Sequence, residues 1–380
     1  MAIRTVRHLT VMMKVTDVCP LTCAYCYQYP AAGRQMDSQT LENATTVTLA
    51  RPEPELTTYL WHGGEPLAAG LEFFRAARGH QRHATNGHTI RNSLQTNGVL
   101  LTEGLADFLV TQDFGVGVSL DGPPIVHDRT RPFADGRGSF RQTMHAIDLM
   151  RSRGKPPGVI AVLTRHSLPY LDEIYSFFKA EGLNFLFNPL VHSGRAATQR
   201  FALGLSVEEE SAAMCHLFDR WFDDHSGTFI RFENMMSLAT AMFCGRGKAC
   251  NMLRNCQESF LAIDFHGTVL PCTEFTGTDM SYGNINTAPD LDGILSHPRR
   301  LQMLRRYSLL EECQECEYNS LCHGGCLHKA YTAGSALKRD PRECALNRTV
   351  FRHVAGRLRG QLAVESVSNH EGGSEDEDGK

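Results

Sequence analysis

The sequence predicts an α/β fold built from parallel strand–helix units, followed by a smaller segment organised around cysteine. Three observations predict it. Over the first two hundred residues, short apolar runs rich in β-branched and aromatic residues alternate six times with stretches of helical periodicity. That rhythm stops near Asn234, where cysteines, glycines and turn residues take over. Of the 13 cysteines, three crowd together at Cys19, Cys23 and Cys26, and the rest fall between Cys215 and Cys344. A chain of 380 residues suits one large domain plus a smaller one.

The strand candidates are Leu9–Val15, Thr57–Trp61, Thr89–Leu94, Phe114–Leu120, Val159–Leu163 and Phe185–Leu190. The helix candidates between and after them are Ser38–Ala50, Leu71–His83, Glu103–Thr111, Ser139–Arg151, Leu168–Ala180 and Ser206–Asp223. Repeated strand-then-helix units give parallel strands, which either close into a barrel or stay open. Strand C-termini of such folds converge on one face, where loops carry chemistry. The motifs fall there: Cys19–Cys26 after the first strand, His62-Gly63-Gly64-Glu65-Pro66 after the second, Gln95-Thr96-Asn97-Gly98 after the third and Ser119-Leu120-Asp121-Gly122-Pro123 after the fourth. The expected organisation is a βα core over 1–200, a helical connector over 201–245 and a cysteine-rich domain over 246–346. A helix over 347–364, basic and amphipathic, and a disordered acidic tail over 365–380 follow.

Hydrophobic residues make up 42% and charged residues 21%, enough for a packed core. The net charge of −4, with both signs interspersed, argues against a nucleic-acid surface. The first residues read as no signal peptide, and no apolar run is long enough to span a membrane, so the expected location is cytoplasmic. Cysteines at close spacing in such a setting, and in odd number, point to metal ligation rather than disulfides.

Cys19-x3-Cys23-x2-Cys26 places three thiolates on one loop. Iron–sulfur clusters take four cysteines as a rule, so three leave one iron for a substrate or cofactor. The alternative is a zinc site completed by His62 or another residue. Gly63 and Gly64 allow close backbone approach to a ligand, and Glu65 offers a carboxylate to an ammonium group; a plain strand-to-helix turn is the alternative.

This trio, with Tyr25 before its last cysteine, resembles the signature of the radical S-adenosylmethionine (SAM) superfamily. The resemblance implies that SAM occupies the open iron and that its reductive cleavage yields a 5′-deoxyadenosyl radical. It further implies SAM contacts by Tyr25, Gly63, Gly64, Glu65, Gln95, Asn97, Ser119 and Arg131, and a partial (β/α)6, TIM-barrel-like core.

Downstream, Cys250-x5-Cys256, Cys272, Cys313-x2-Cys316-x5-Cys322-x3-Cys326 and Cys344 leave Cys215 and Cys244 over as buried or incidental thiols. The pattern resembles the SPASM extension, a small α+β domain of radical SAM peptide-modifying enzymes with two auxiliary clusters; a zinc knuckle is the alternative for Cys313–Cys326. The resemblance implies a first auxiliary cluster on Cys250, Cys256, Cys272 and Cys326, and a second on Cys313, Cys316, Cys322 and Cys344. With the first loop that makes three [4Fe–4S] clusters.

Two branches resemble the chain most. Anaerobic sulfatase-maturating enzymes, which make formylglycine, share Ser93–Gly98, Ser119–Pro123 and the auxiliary cysteines. Crosslinking maturases of ribosomally made peptides share Val118–Pro124, His127-Asp128-Arg129 and Gly136–Phe140. The former carry an aspartate base after the third auxiliary cysteine; here Thr273 follows Cys272, and Glu274 comes one residue later. Threonine accepts no proton, so the sequence favours crosslinking or a related oxidation, with Glu274 as candidate base. The implied partners are a peptide or protein substrate and an electron donor such as flavodoxin or ferredoxin. No separate leader-peptide-binding domain is expected. A non-catalytic iron–sulfur electron carrier is the reading from another class; a carrier needs no open iron, and SAM cleavage separates the two. Cys326→Ala is expected to lose the iron of one cluster and to lower the melting temperature, read by iron assay and thermal unfolding.

Overall fold

The computed structural model describes residues 7–28, 32–51, 55–85, 87–245, 249–335 and 337–371. The chain divides into two compact units. The first comprises Met1–Gly204, Ser226–Arg231 and Asn255–Leu309, and the second Leu205–His225, Phe232–Arg254 and Leu310–Lys380.

The first unit is built on one sheet whose strands are β1 (His8–Lys14), β2 (Leu56–His62), β3 (Thr89–Thr96), β4 (Gly115–Ser119), β5 (Gly158–Val162), β6 (Phe185–Asn188), β7 (Phe260–Ile263) and β8 (Val269–Leu270). Its order is β6-β5-β4-β3-β2-β1-β7-β8. The six expected strands all form, with ends shifted by a residue or two, and pair in parallel in sequence order. Helices α1 (Ser38–Leu49), α2 (Gly70–Ala84), α3 (Glu103–Thr111), α4 (Pro124–Thr130), α5 (Phe140–Ser152) and α6 (Leu171–Ala180) lie between them. Asp37 and Thr102 start α1 and α3 by accepting from Thr40 N and Leu105 N. The sequence reading missed α4, a short helix opening at Pro124.

β1 is buried along nearly its whole length, as a strand with neighbours on both sides requires. In β2 alternate residues Thr57, Tyr59 and Trp61 point into the core. There Trp61 packs edge-on against Phe73 and Phe74. The sheet is not a closed barrel among the described residues. Its free edge at β1 is taken by β7, which pairs in parallel from Thr10↔Phe260 to Met13↔Ile263, and β8 follows antiparallel. The compact units therefore divide the chain differently from the expected boundary at residue 246: Asn255–Leu309 belongs with the sheet. An exposed β1 edge is a pairing template, and the apolar run Phe260–Ile263 covers it.

In the second unit the helix Val207–Phe222 begins with a capping box of Ser206 and Glu209. It packs on the long helix Pro341–Glu371, where His353 Nε2 and Arg357 Nε meet Asp219 Oδ1 at 2.8 and 3.1 Å. The long helix outruns the expected 347–364 at both ends and carries Cys344 on its first turns. Residues 372–380 of the expected tail lie outside the described residues. Among the described residues, no helix is long and apolar enough to cross a membrane.

Gly64 has no room for a side chain: a Cβ there would stand 2.6 Å from Val18 O and 2.7 Å from Asp17 O. Gly79, within α2, has open space around it. Gly64→Ala is expected to cost about 1–3 kcal/mol, and Gly79→Ala to gain about 0.5–1 kcal/mol, both read by urea unfolding.

Candidate active site

β1, β2, β3 and β4 run parallel, so their C-terminal ends lie on one side of the sheet, and the four motifs meet there. The backbone holds the cysteine loop in place. Thr22 N donates to Pro132 O and Ala24 N to Thr130 O, both at 2.8 Å, and Leu21 bridges Phe133. On the other flank Gly64 N donates to Thr16 O at 2.7 Å and Glu65 N to Val18 O at 2.8 Å.

The three thiols lie within electrostatic reach of one another. Burial pushes Cys19 up to about 12, with Cys23, Glu65 and Cys26 adding to the shift. Burial likewise pushes Cys23 up to about 11, against the pull of Arg131. Such thiols favour the protonated state alone and need a strong Lewis acid to become thiolates, which suits iron. No three His, Cys, Asp or Glu side chains among the described residues close on a point as a single ion would ask. A cubane asks only that its thiolates stand around it.

Glu65 is fully buried at the start of a short 3-10 turn, Pro66–Ala69. Its Oε1 accepts from Thr96 Oγ1 at 2.6 Å and Leu67 N at 3.0 Å, and its Oε2 from Asn97 N at 2.8 Å. Burial raises it to about 7 against these three donors. Asn97 in turn aims Nδ2 at Cys19 Sγ, 3.5 Å away. Glu65, Asn97 and Cys19 therefore form one connected group. Gln95 Nε2 donates to Ser119 Oγ at 3.0 Å.

Tyr25 and Arg131 sit elsewhere in the network. Tyr25 donates to Asp121 Oδ2 at 2.5 Å, beneath the Arg131 guanidinium, whose carbon is 5.2 Å from the ring centroid. Arg131 reaches Asp121 through Nε at 3.0 Å and Nη2 at 3.1 Å. Thr130 Oγ1 and Val162 N also donate to Asp121, at 2.6 and 3.0 Å. The polar atoms of Tyr25 and Arg131 thus serve a buried carboxylate in the protein. Gly63 and Gly64 likewise give close approach to the Thr16–Val18 backbone, where the sequence reading supposed a ligand.

Several residues here escaped sequence reasoning. Asp121 was visible in Ser119–Pro123 but had no role. Lys14 pairs with His62 across β1 and β2 and is almost wholly buried. Burial lowers Lys14, and its Nζ lies 5.6 Å from the Phe265 ring centroid. Burial lowers His62 to about 4, with Lys14 assisting, and Gly63 N donates to its Nδ1 at 2.8 Å. Tyr27, next to Cys26, meets Thr273 Oγ1 at 3.5 Å and accepts from Gln28 Nε2 at 3.0 Å. Burial raises Tyr27, and the Glu274 carboxylate raises it further. The Glu274 charge is thus felt at Tyr27, next to the cysteine loop.

The cysteines expected to hold the auxiliary clusters fall in both units. In the first, Cys256 accepts from Gln257 Nε2 at 3.5 Å, and both Cys256 and Cys272 act on Tyr282. In the second, Cys250 acts on Cys326, which burial pushes up to about 12. Cys313, Cys316, Cys322 and Cys344 line a single cavity there. Cys244 is exposed rather than buried, at the C-terminal end of the helix Glu233–Cys244, and Cys215 is half-buried.

The Radical SAM superfamily profile matches residues 13–178, and the SPASM iron–sulfur cluster-binding domain matches 250–317. The serine-type anaerobic sulfatase-maturating enzyme of Bacteroides thetaiotaomicron is 30% identical over 84% of this chain and 83% of its own. The cysteine-type enzyme of Clostridium perfringens is 27% identical over 81% and 85%. The solved structure of native anSMEcpe with bound AdoMet and Cp18Cys peptide matches with a TM-score of 0.82 at 25% identity, covering 93% and 98% of the two chains. Streptococcus suis SuiB bound to its precursor peptide SuiA shares the fold, with a TM-score of 0.65 at 16% identity over 88% and 75%.

Burial would by itself raise Asp121, but Arg131 and, less strongly, His127 hold it below the usual carboxylate range. Its stabilising share is thus complete above its unfolded value and is lost as pH falls through the depressed folded one. Asp121→Asn leaves Arg131 buried without its counter-charge, at an expected cost of roughly 3–5 kcal/mol at neutral pH. The gap from wild type should close as pH falls below the carboxylate range, read by urea unfolding across pH.

Proposed function

The chain belongs to the radical SAM superfamily, and on that premise we propose that it is a maturase that oxidises or crosslinks a side chain of a ribosomally made peptide or a protein. It is an iron–sulfur enzyme of a SAM-dependent family, and the proposal extends this to three [4Fe–4S] clusters on the ligand sets the sequence implies. The observation that carries it is the meeting of Cys19, Glu65 and Asn97 at the strand ends. Cluster and SAM, when bound, supply a 5′-deoxyadenosyl radical that takes a hydrogen atom from the substrate.

The chain's own residues do the rest. Cys19, Cys23 and Cys26 hold the cluster, and Asn97 donates toward the Cys19 sulfur. Glu65 is fixed by three donors and offers its remaining acceptor capacity to an ammonium group. Gly63 and Gly64 act on SAM indirectly, by seating the loop that carries Glu65 against Thr16–Val18. Gln95 and Ser119 present a linked amide and hydroxyl to ribose or carboxylate. Arg131 and Tyr25 keep the cysteine loop in register through Asp121, with the Arg131 charge close to Cys23. Oxidation beyond loss of a hydrogen atom releases a proton, and Glu274, beside Tyr27, is the carboxylate that takes it. Electrons come from a flavodoxin or ferredoxin.

Formylglycine formation is a second reading, favoured by the position of Glu274. The case against it rested on a carboxylate displaced by one residue; Thr273, in the 3-10 turn Thr273–Phe275, meets Tyr27, and the charge of its neighbour Glu274 is felt at the same Tyr27. The serine-type relative supports the same reading.

The test is anaerobic reconstitution, chemical reduction and incubation with SAM and candidate peptides. The expected outcome is 5′-deoxyadenosine, methionine and a peptide lighter by two hydrogens, or, where a cysteine becomes formylglycine, one that has also exchanged its sulfur for a water oxygen with release of hydrogen sulfide. A hydroxylamine-trapped aldehyde marks formylglycine, and a fragment-resistant linkage marks a crosslink. Intact SAM after reduction sinks both. Glu274→Gln is expected to keep SAM cleavage while product falls by roughly 10²–10⁴-fold.

A further inference from the structure

The cavity in the second unit that gathers Cys313, Cys316, Cys322 and Cys344 is also lined by Arg339 and Asn347. Four thiols around one space fit a cubane. Its apolar wall includes Phe351, which meets Tyr318 at 5.6 Å between centroids.

Two polar side chains outside the ligand set reach this cavity. Asn347 Nδ2 donates to Cys322 Sγ at 3.5 Å, across 25 residues of sequence. The Gly324 backbone N–H donates to the same sulfur. That second donor depends on a left-handed run: His323, Gly324 and Gly325 have φ of 48°, 83° and 72°. Arg339 lines the same cavity as Cys344. Its guanidinium is held from the other side by Glu312, with Nε and Nη2 at 2.6 and 2.7 Å from the two carboxylate oxygens. A fork clamped in this way stays in place as a fixed cation beside the thiolate.

We propose that Asn347 and Arg339 are positioning residues that raise the reduction potential of the [4Fe–4S] cluster held by Cys313, Cys316, Cys322 and Cys344. Reduction adds one electron, and the negative charge it brings spreads onto the sulfurs. N–H donors and a nearby cation stabilise that charge more than the oxidised cluster, so the potential rises. Asn347 acts by its dipole and Arg339 by its charge. The Arg339 side chain is 30% exposed, so salt screens part of its effect. The inference rests on the ligand set proposed above.

The experiment is a dithionite titration of the full-length reconstituted enzyme, followed by electron paramagnetic resonance. The signal lost in Cys344→Ala identifies the cluster. Asn347→Leu keeps the bulk and removes the donor; Arg339→Gln removes the charge; Arg339→Lys keeps the charge and loses the fork. All three are expected to retain wild-type iron and to titrate at lower potential, with Arg339→Lys the least displaced. High salt should shrink the Arg339→Gln shift and leave the Asn347→Leu shift. Full iron with an unchanged potential overturns the inference alone. Iron lost from both Asn347→Leu and Arg339→Gln overturns it by making the two residues structural. A wild-type enzyme without the Cys344-dependent signal overturns the ligand set itself.

Discussion

The cysteine loop depends on one buried charge. Asp121 is wholly inaccessible, and a carboxylate there is tolerable only with every lone pair engaged. It is held by four hydrogen-bond donors, one each on Tyr25, Thr130, Arg131 and Val162, and by the ion-pair contact of Arg131 Nε. These come from the loop after β1, the end of α4, the residue after α4 and the end of β5. Tyr25 lies between Cys23 and Cys26, so the hub places two of the three ligands. Its cation also lowers the cost of making Cys23 a thiolate.

Much of this fold was legible because parallel strands buried on both sides leave a strong pattern, and caps such as Asp37 and Thr102 mark helix starts. The convergence of motifs was legible too, since parallel strands send every C-terminal loop to the same side. What stayed hidden was long-range pairing. Nothing local in Phe260–Ile263 says that it will add to β1, 250 residues away from Thr10 in sequence. Asp121 looked like part of a turn because its partners lie up to 96 residues off. Nothing in the strand Leu9–Val15 marks Lys14 as buried; Phe265 and His62 show it.

The glycine pair has a structural reason that the motif alone does not disclose. Gly63 and Gly64 do sit where a cofactor-binding loop belongs, yet their missing side chains make room for Thr16–Val18. Packing of backbone on backbone fixes both the loop before Cys19 and the turn that starts at Glu65. Likewise Glu274 seemed misplaced by counting, because a one-residue offset reverses direction in a strand. Within a 3-10 turn successive side chains fan out over a shorter rise; Thr273 meets Tyr27, and the Glu274 charge is felt there as well.

The second unit works by a different logic, in which ligands and fold are set by the same few atoms. Cys326 N donates to Glu343 Oε2 at 2.6 Å, and Glu343 Oε1 takes Lys329 Nζ at 3.1 Å. Gly325 has no Cβ because one there would strike that same carboxylate. Glu343 is buried and immediately precedes Cys344. The first turns of the long helix therefore hold the Cys322–Cys326 turn with one residue and present a thiol to the cavity with the next. A cluster held by these thiols would therefore couple its assembly to folding, since one carboxylate ties the helix start to the Cys322–Cys326 turn.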